Sequence, residues 1–105
     1  MIFVTPHDIL SKLPKLLRQR RVNEGLTQNQ LAEKSNVSLS VVRKFEQTGQ
    51  ISLESFIKLA FVLDLTEAIL QGIEQKIQSS RSIDEILKSK AKDSPKKTTL
   101  KRVRN

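Results

Sequence analysis

A chain of 105 residues, 37% hydrophobic and 29% charged with a net charge of +8, has room for one small domain around one core. It contains no cysteine, which excludes disulfides, thiolate metal ligands and a cysteine nucleophile together and suits a reducing cytoplasm. No apolar run approaches the roughly 20 residues that span a bilayer, and MIFVTPHD lacks the basic flank and apolar stretch of a signal peptide, so the expectation is a cytoplasmic protein with no membrane partner.

The elements all read as helix. Three glycines, three prolines and no strand-like alternation beyond the first few residues leave little for a sheet, and start signals recur at Thr5 before Pro6, Thr27, Ser38, Ser52, Thr66 and Ser82. Thr27 with Gln30 and Ser82 with Glu85 have the spacing of capping boxes. Ile2, Phe3 and Val4 either add a short strand exchanged between subunits or pack on their own domain. In the first helical region, PHDILSKLPKLLRQRRVNEG, the spacing of Leu10, Leu13 and Leu17 predicts one core-facing stripe. Pro14 either kinks that helix or begins a second, and Gly25 ends it as a left-handed cap before Leu26.

Two short helices follow, over residues 28–34 and 39–46, with about four residues between them. The first turns Leu31 and Ala32 inward, the second Val42 and Phe45, and Val37 plugs the turn. So short a connection forces a steep crossing, for which the small side chain of Ala32 gives room. Asn36 sits where the chain turns left-handed. Leu53, Phe56, Ile57, Ala60 and Leu63 predict the next core stripe. Leu65, Ala68, Ile69, Gly72, Ile73 and Ile77 form a third, assigned to a dimer surface. A short separate helix is expected over IDEILKSK.

The charge sits at the C-terminal end. Met1 to Leu87 holds 11 Lys+Arg against 10 Asp+Glu, whereas Lys88 to Asn105 holds 8 against 1. That tail is too poor in apolar residues to offset the entropy of ordering and is expected to be disordered when alone. It is either a solubilising extension or a mobile arm for phosphates or an acidic surface. The expected organisation is one helical domain over 1–80, then the short helix and flexible basic tail over 81–105.

The run from Leu13 to Leu65, with LLRQRRVNEGLTQNQLAEKSNVSLSVVRKFEQ at its heart, resembles the helix-turn-helix domain of the lambda-repressor and Cro-like group, the XRE family. The marks are Arg21 seven residues before Gln28, LTQNQLA over Leu26 to Ala32, Val37 after the turn, and Phe45-Glu46. The sequence departs from the family pattern at Asn36, where glycine is usual, and at Gln47-Thr48-Gly49. The resemblance implies a five-helix all-α domain that binds double-stranded DNA as a homodimer on a palindromic operator, with no cofactor and no metal. Major-groove base edges distinguish all four pairs, so Ser38, Ser40, Arg43 and Lys44 are expected at bases, with Ser40 and Lys44 first among them. Leu39 either touches a thymine methyl or belongs to the core. Thr27, Gln28, Asn29 and Gln47 are expected at phosphates, helped by a helix N-terminus. Arg21 and Glu46 are implied to form a structural salt bridge. The competing reading makes the same polar residues a solvated face.

An enzyme finds no support in these residues. His7 lies beside Asp8 in a first helical turn without further catalytic partners, and Asp84 with Glu85 suits a helix start. Without room for a sensor domain, regulation is expected from proteolysis, dimer dissociation or a partner. RSIDEILKSKAKDSPKKTTLKRVRN resembles the tails of HipB-type antitoxins, which implies a repressor that also binds a HipA-like kinase toxin; the alternative is an ordinary operon or prophage repressor. A protein-binding module on the same scaffold is favoured only if Arg43 and Lys44 prove buried or paired.

Overall fold

The computed structural model describes residues 4–91, with side chains described for residues 4–80. Five helices follow in order: α1 Pro6–Asn23, α2 Gln28–Ser35, α3 Leu39–Thr48, α4 Leu53–Val62 and α5 Thr66–Ala91. The fold is all-α. The chain divides into two compact units, Met1–Glu67 and Ala68–Asn105. No helix among the described residues is long and apolar enough to cross a membrane.

Helix starts obey the capping chemistry read from the sequence. The hydroxyls of Thr5, Thr27, Ser38 and Ser52 each accept the backbone N–H three residues on, from Asp8, Gln30, Val41 and Ser55. Thr27 and Gln30 complete the expected box, and Thr5 forms another with the Asp8 carboxylate. Two expected starts fail. Thr66 is already helical, and Ser82 lies inside α5, so IDEILKSK continues that helix instead of forming a separate one. No glycine or proline interrupts QKIQSSRSID, and each serine costs only about half a kcal/mol of helix propensity, less than stopping and nucleating again.

Helix ends place apolar side chains. After α1, α2 and α4 the chain turns left-handed at Gly25, Asn36 and Asp64 (φ 75°, 58° and 62°). The next amide then returns to a carbonyl five residues back: Leu26 to Arg21 (3.1 Å), Val37 to Ala32 (3.1 Å) and Leu65 to Ala60 (2.8 Å). This doubling back is the Schellman motif. It packs Leu26, Val37 and Leu65 on one core made by Leu17, Leu31, Ala32, Val42, Phe45, Leu59 and Leu63.

Three stripe assignments change. Leu10, Leu53 and Ile57 are exposed; α1 buries Leu17 with Leu13 beside it, and α4 is rotated so that Leu59, Ala60 and Leu63 point inward, with Phe56 half-buried. Leu65 is withdrawn from the dimer stripe because it packs on its own core. Pro14 neither starts a helix nor stops α1, which runs through it. Lacking an amide hydrogen, Pro14 leaves the Leu10 carbonyl without its helical donor. The backbone of Gly49 docks there so closely that an added Cβ would lie 2.5 Å from that oxygen. Ile2 and Phe3, the side chains of Ser82, Asp84 and Glu85, and the basic tail from residue 92 lie outside the described residues.

Candidate nucleic-acid interface

α2 and α3 meet across a turn of three residues, Asn36, Val37 and Ser38. Val42 is fully buried and Phe45 is 2% exposed, each contributing about 1.5–3 kcal/mol by leaving water. Phe45 also packs edge-on against Phe56, ring centroids 5.9 Å apart. Ser35, which the sequence did not mark, is buried where α2 ends, its hydroxyl donating to the Leu31 carbonyl at 2.7 Å. The inner face of α3 is thereby fixed.

The last turn of α3 is tied to α1 through charge. Arg21 Nε donates to Glu46 Oε2 at 2.7 Å and Nη2 to Oε1 at 3.1 Å, with side chains only 9% and 5% exposed. Arg21 Nη1 donates to the Leu26 carbonyl at 2.8 Å, and Gln28 Nε2 donates to Glu46 Oε1 at 2.9 Å. The guanidinium and carboxylate thus meet as a two-bond pair, each with a further hydrogen bond to a neighbouring group, which favours tolerance of a buried pair. Gln28, expected at a phosphate, is joined to this cluster. Its neighbour Asn29 is exposed, and the first amides of α2 have no helical carbonyl to bond. Thr27 holds the helix start through its capping box.

The outer face of α3 is open. Ser38, Ser40, Arg43, Lys44 and Gln47 are all exposed. Ser40, Arg43, Lys44 and Gln47 follow the three-and-four spacing of one helical face. The Ser38 and Ser40 hydroxyls lie 3.2 Å apart and share a hydrogen bond. Among the described residues Arg43 and Lys44 enter no ion pair, so the condition that favoured a protein-binding module is not met. Leu39 is half-buried and packs against the core; of its two readings, the core role is the one with a contact behind it. Lys44 and Val41 border an open groove completed by Gln50, Ile51, Ser52 and Ser55.

Residues 17–70, just over half of the chain, match the model of a helix-turn-helix family. The chain belongs to this family. It is of the lambda-repressor and Cro-like, XRE type, and the protein is a DNA-binding transcription regulator. Comparison with curated proteins finds no match.

Besides Ser35, two positions in this helix-turn-helix domain escaped the sequence reading. Arg20 Nε donates to the Leu63 carbonyl at 3.0 Å, satisfying an acceptor at the end of α4; no local pattern distinguishes it from Arg18. Thr48 donates to the Lys44 carbonyl at 2.7 Å and accepts from Gln50 N at 3.1 Å, fixing the chain as it leaves α3. A threonine just before the glycine that ends a helix is a signal that could have been used.

Proposed function

We propose that this regulator is a sequence-specific repressor that reads a palindromic operator as a homodimer, placing α3 of each subunit in the major groove. One observation carries the reading: Ser40, Arg43, Lys44 and Gln47 share an exposed face that enters no ion pair among the described residues, on a helix whose other side is held by Val42, Phe45 and the Arg21–Glu46 pair. Ser40 and Lys44, with Ser38 and Arg43 beside them, contact bases. Thr27, Gln28, Asn29 and Gln47 contact phosphates, Gln28 through whatever hydrogen-bonding capacity Glu46 leaves it. Exposed Ile73 and Ile77, with Ile69 and the exposed Leu70, supply the dimer surface on α5. Half-sites about one helical turn apart follow from twofold pairing.

The test is Lys44→Ala in a titration against the operator and against random DNA. The expected loss is about 1–3 kcal/mol on the operator, with preference relaxed at one base position. Equal losses on both DNAs reduce Lys44 to a phosphate contact. A narrower reading, the antitoxin of a HipA-like kinase toxin, rests on the composition of residues 81–105. Purification of the protein from its own cells with bound DNA tests it: a kinase-like protein encoded beside it supports that reading, and DNA alone leaves an operon or prophage repressor.

A further inference from the structure

α4 turns its most hydrophobic exposed residues away from the core. Leu53 is 75% exposed, Phe61 73% and Ile57 38%, and their spacing of four residues puts them on one stripe. At about 100° per residue, Phe61 lies two steps from both Leu59 and Leu63 and so points almost directly away from them. Glu54 and Lys58, joined at 3.3 Å, run along one flank. Large apolar side chains in a row on an outer helix face mark an interaction surface.

We propose that this face docks on the same face of a second copy of the chain, with the two α4 helices antiparallel about a twofold axis at Ile57. The stripe is symmetric about that residue: antiparallel pairing sets Ile57 against its copy and Leu53 against Phe61 of the other chain. The same operation brings each Glu54 beside the other chain's Lys58, so the flanking charges attract across the axis. A face that matches itself in both apolar spacing and charge meets the requirement for an isologous contact.

Its size defines its use. Three apolar side chains per copy bury far less than the roughly 1,200 Å² of a stable complex, so the contact is weak between free chains. It becomes occupied where tethering raises the local concentration to about the millimolar range, as when two copies sit on adjacent DNA sites; this consequence rests on the DNA-binding reading, whereas the contact itself does not. Ser55, which lines the groove with Lys44, lies two residues from both Leu53 and Ile57 and so on the opposite side of α4. The stripe and the groove beside Lys44 therefore use different sides of α4.

The absence of native cysteine makes the register directly measurable by disulfide trapping in the full chain at about millimolar protein, the concentration at which the contact is occupied without a tether. Ile57→Cys is expected to cross-link about tenfold faster than the exposed control Lys34→Cys, because only the former is brought into proximity. Leu53→Cys alone should match the control, and a mixture of Leu53→Cys with Phe61→Cys should cross-link rapidly. Adding Phe61→Ser to Ile57→Cys should return the rate to the control while thermal unfolding stays unchanged. Equal rates for Ile57→Cys and Lys34→Cys overturn the proposal, as does an Ile57→Cys cross-link that survives Phe61→Ser. Repeating the series with Ile73→Asp should leave every rate ratio unchanged; collapse of the Ile57→Cys rate there would mean that the contact depends on α5, and would also overturn it. Binding of the Ile57→Cys chain to DNA is scored separately, so failure of the DNA-binding reading leaves the cross-linking result standing.

Discussion

Two ten-residue helices, α3 and α4, start from a capping serine and pass into a left-handed turn soon after their last residue. Their inner faces are alike, with Val42 and Phe45 on one and Leu59, Ala60 and Leu63 meeting the same core on or beside the other. Their outer faces are opposites. α3 shows Ser40, Arg43, Lys44 and Gln47, whereas α4 shows Leu53, Ile57 and Phe61. Capping and inward apolar residues therefore determine that each helix forms, and the outward residues determine what it meets. Hydrated cations on α3 gain by releasing counterions from a polyanion; the apolar row on α4 gains only by leaving water.

The strongest way to break that comparison is to attack the anchoring of α3. Arg21→Ala leaves the Glu46 carboxylate buried with Gln28 as its remaining side-chain partner, and the expected loss is about 3–5 kcal/mol in chemical denaturation. The same deletion in the exposed pair on α4, Lys58→Ala, should cost no more than about 1 kcal/mol. Similar losses at both sites would mean that α3 is not held by charge. Binding assays on Arg21→Ala must be run where the chain is folded, since unfolding alone abolishes recognition.

Gly49 and Gly25 sharpen the point. Both are left-handed, but a Cβ at Gly25 meets nothing within 4 Å, whereas at Gly49 it meets the Leu10 carbonyl at 2.5 Å. Gly25→Ala should cost about 1–2 kcal/mol, the strain of a left-handed L-residue. Gly49→Ala should cost clearly more, because backbone must move as well. Thermal unfolding of the two variants compares them, and equal shifts would show that the α1–α3 contact yields without cost.

Much of the fold was legible because capping is local. Thr27, Ser38 and Ser52 announce helix starts through groups within three residues, and Gly25 and Asn36 announce ends through backbone freedom. The inward faces of α2 and α3, Leu31 with Ala32 and Val42 with Phe45, were legible in the apolar pattern of each helix. Misread features depend on distant contacts. Leu53 and Ile57 fit an apolar spacing as well as Leu59 does, and only packing against α2 decides which set turns inward. Leu65 resembles a continuation of the α5 stripe, yet the left-handed turn at Asp64 redirects it to the core. Pro14 looks like a kink or a new helix start until Gly49 is seen to pack against the Leu10 carbonyl, which lacks a helical donor at Pro14. On the binding surface, Arg21 and Glu46 were legible only through family spacing, and nothing local indicated that Gln28 would join them.

The smallest expected effect is the one that decides whether the two outer faces are independent. Phe61→Ser removes the largest apolar group on α4, but that side chain is 73% exposed when folded, so unfolding adds little new apolar surface at this position. Serine and phenylalanine also have similar helix propensities. Stability should therefore change by no more than about 0.5 kcal/mol, and affinity for a single isolated operator should not change, since Phe61 lies outside the groove shared by Lys44 and Ser55. Denaturation and a single-site titration measure both quantities on one preparation. A stability loss of about 2 kcal/mol or more, the size typical of truncating a packed side chain, would place Phe61 in a core and end the claim that α4 presents a free face.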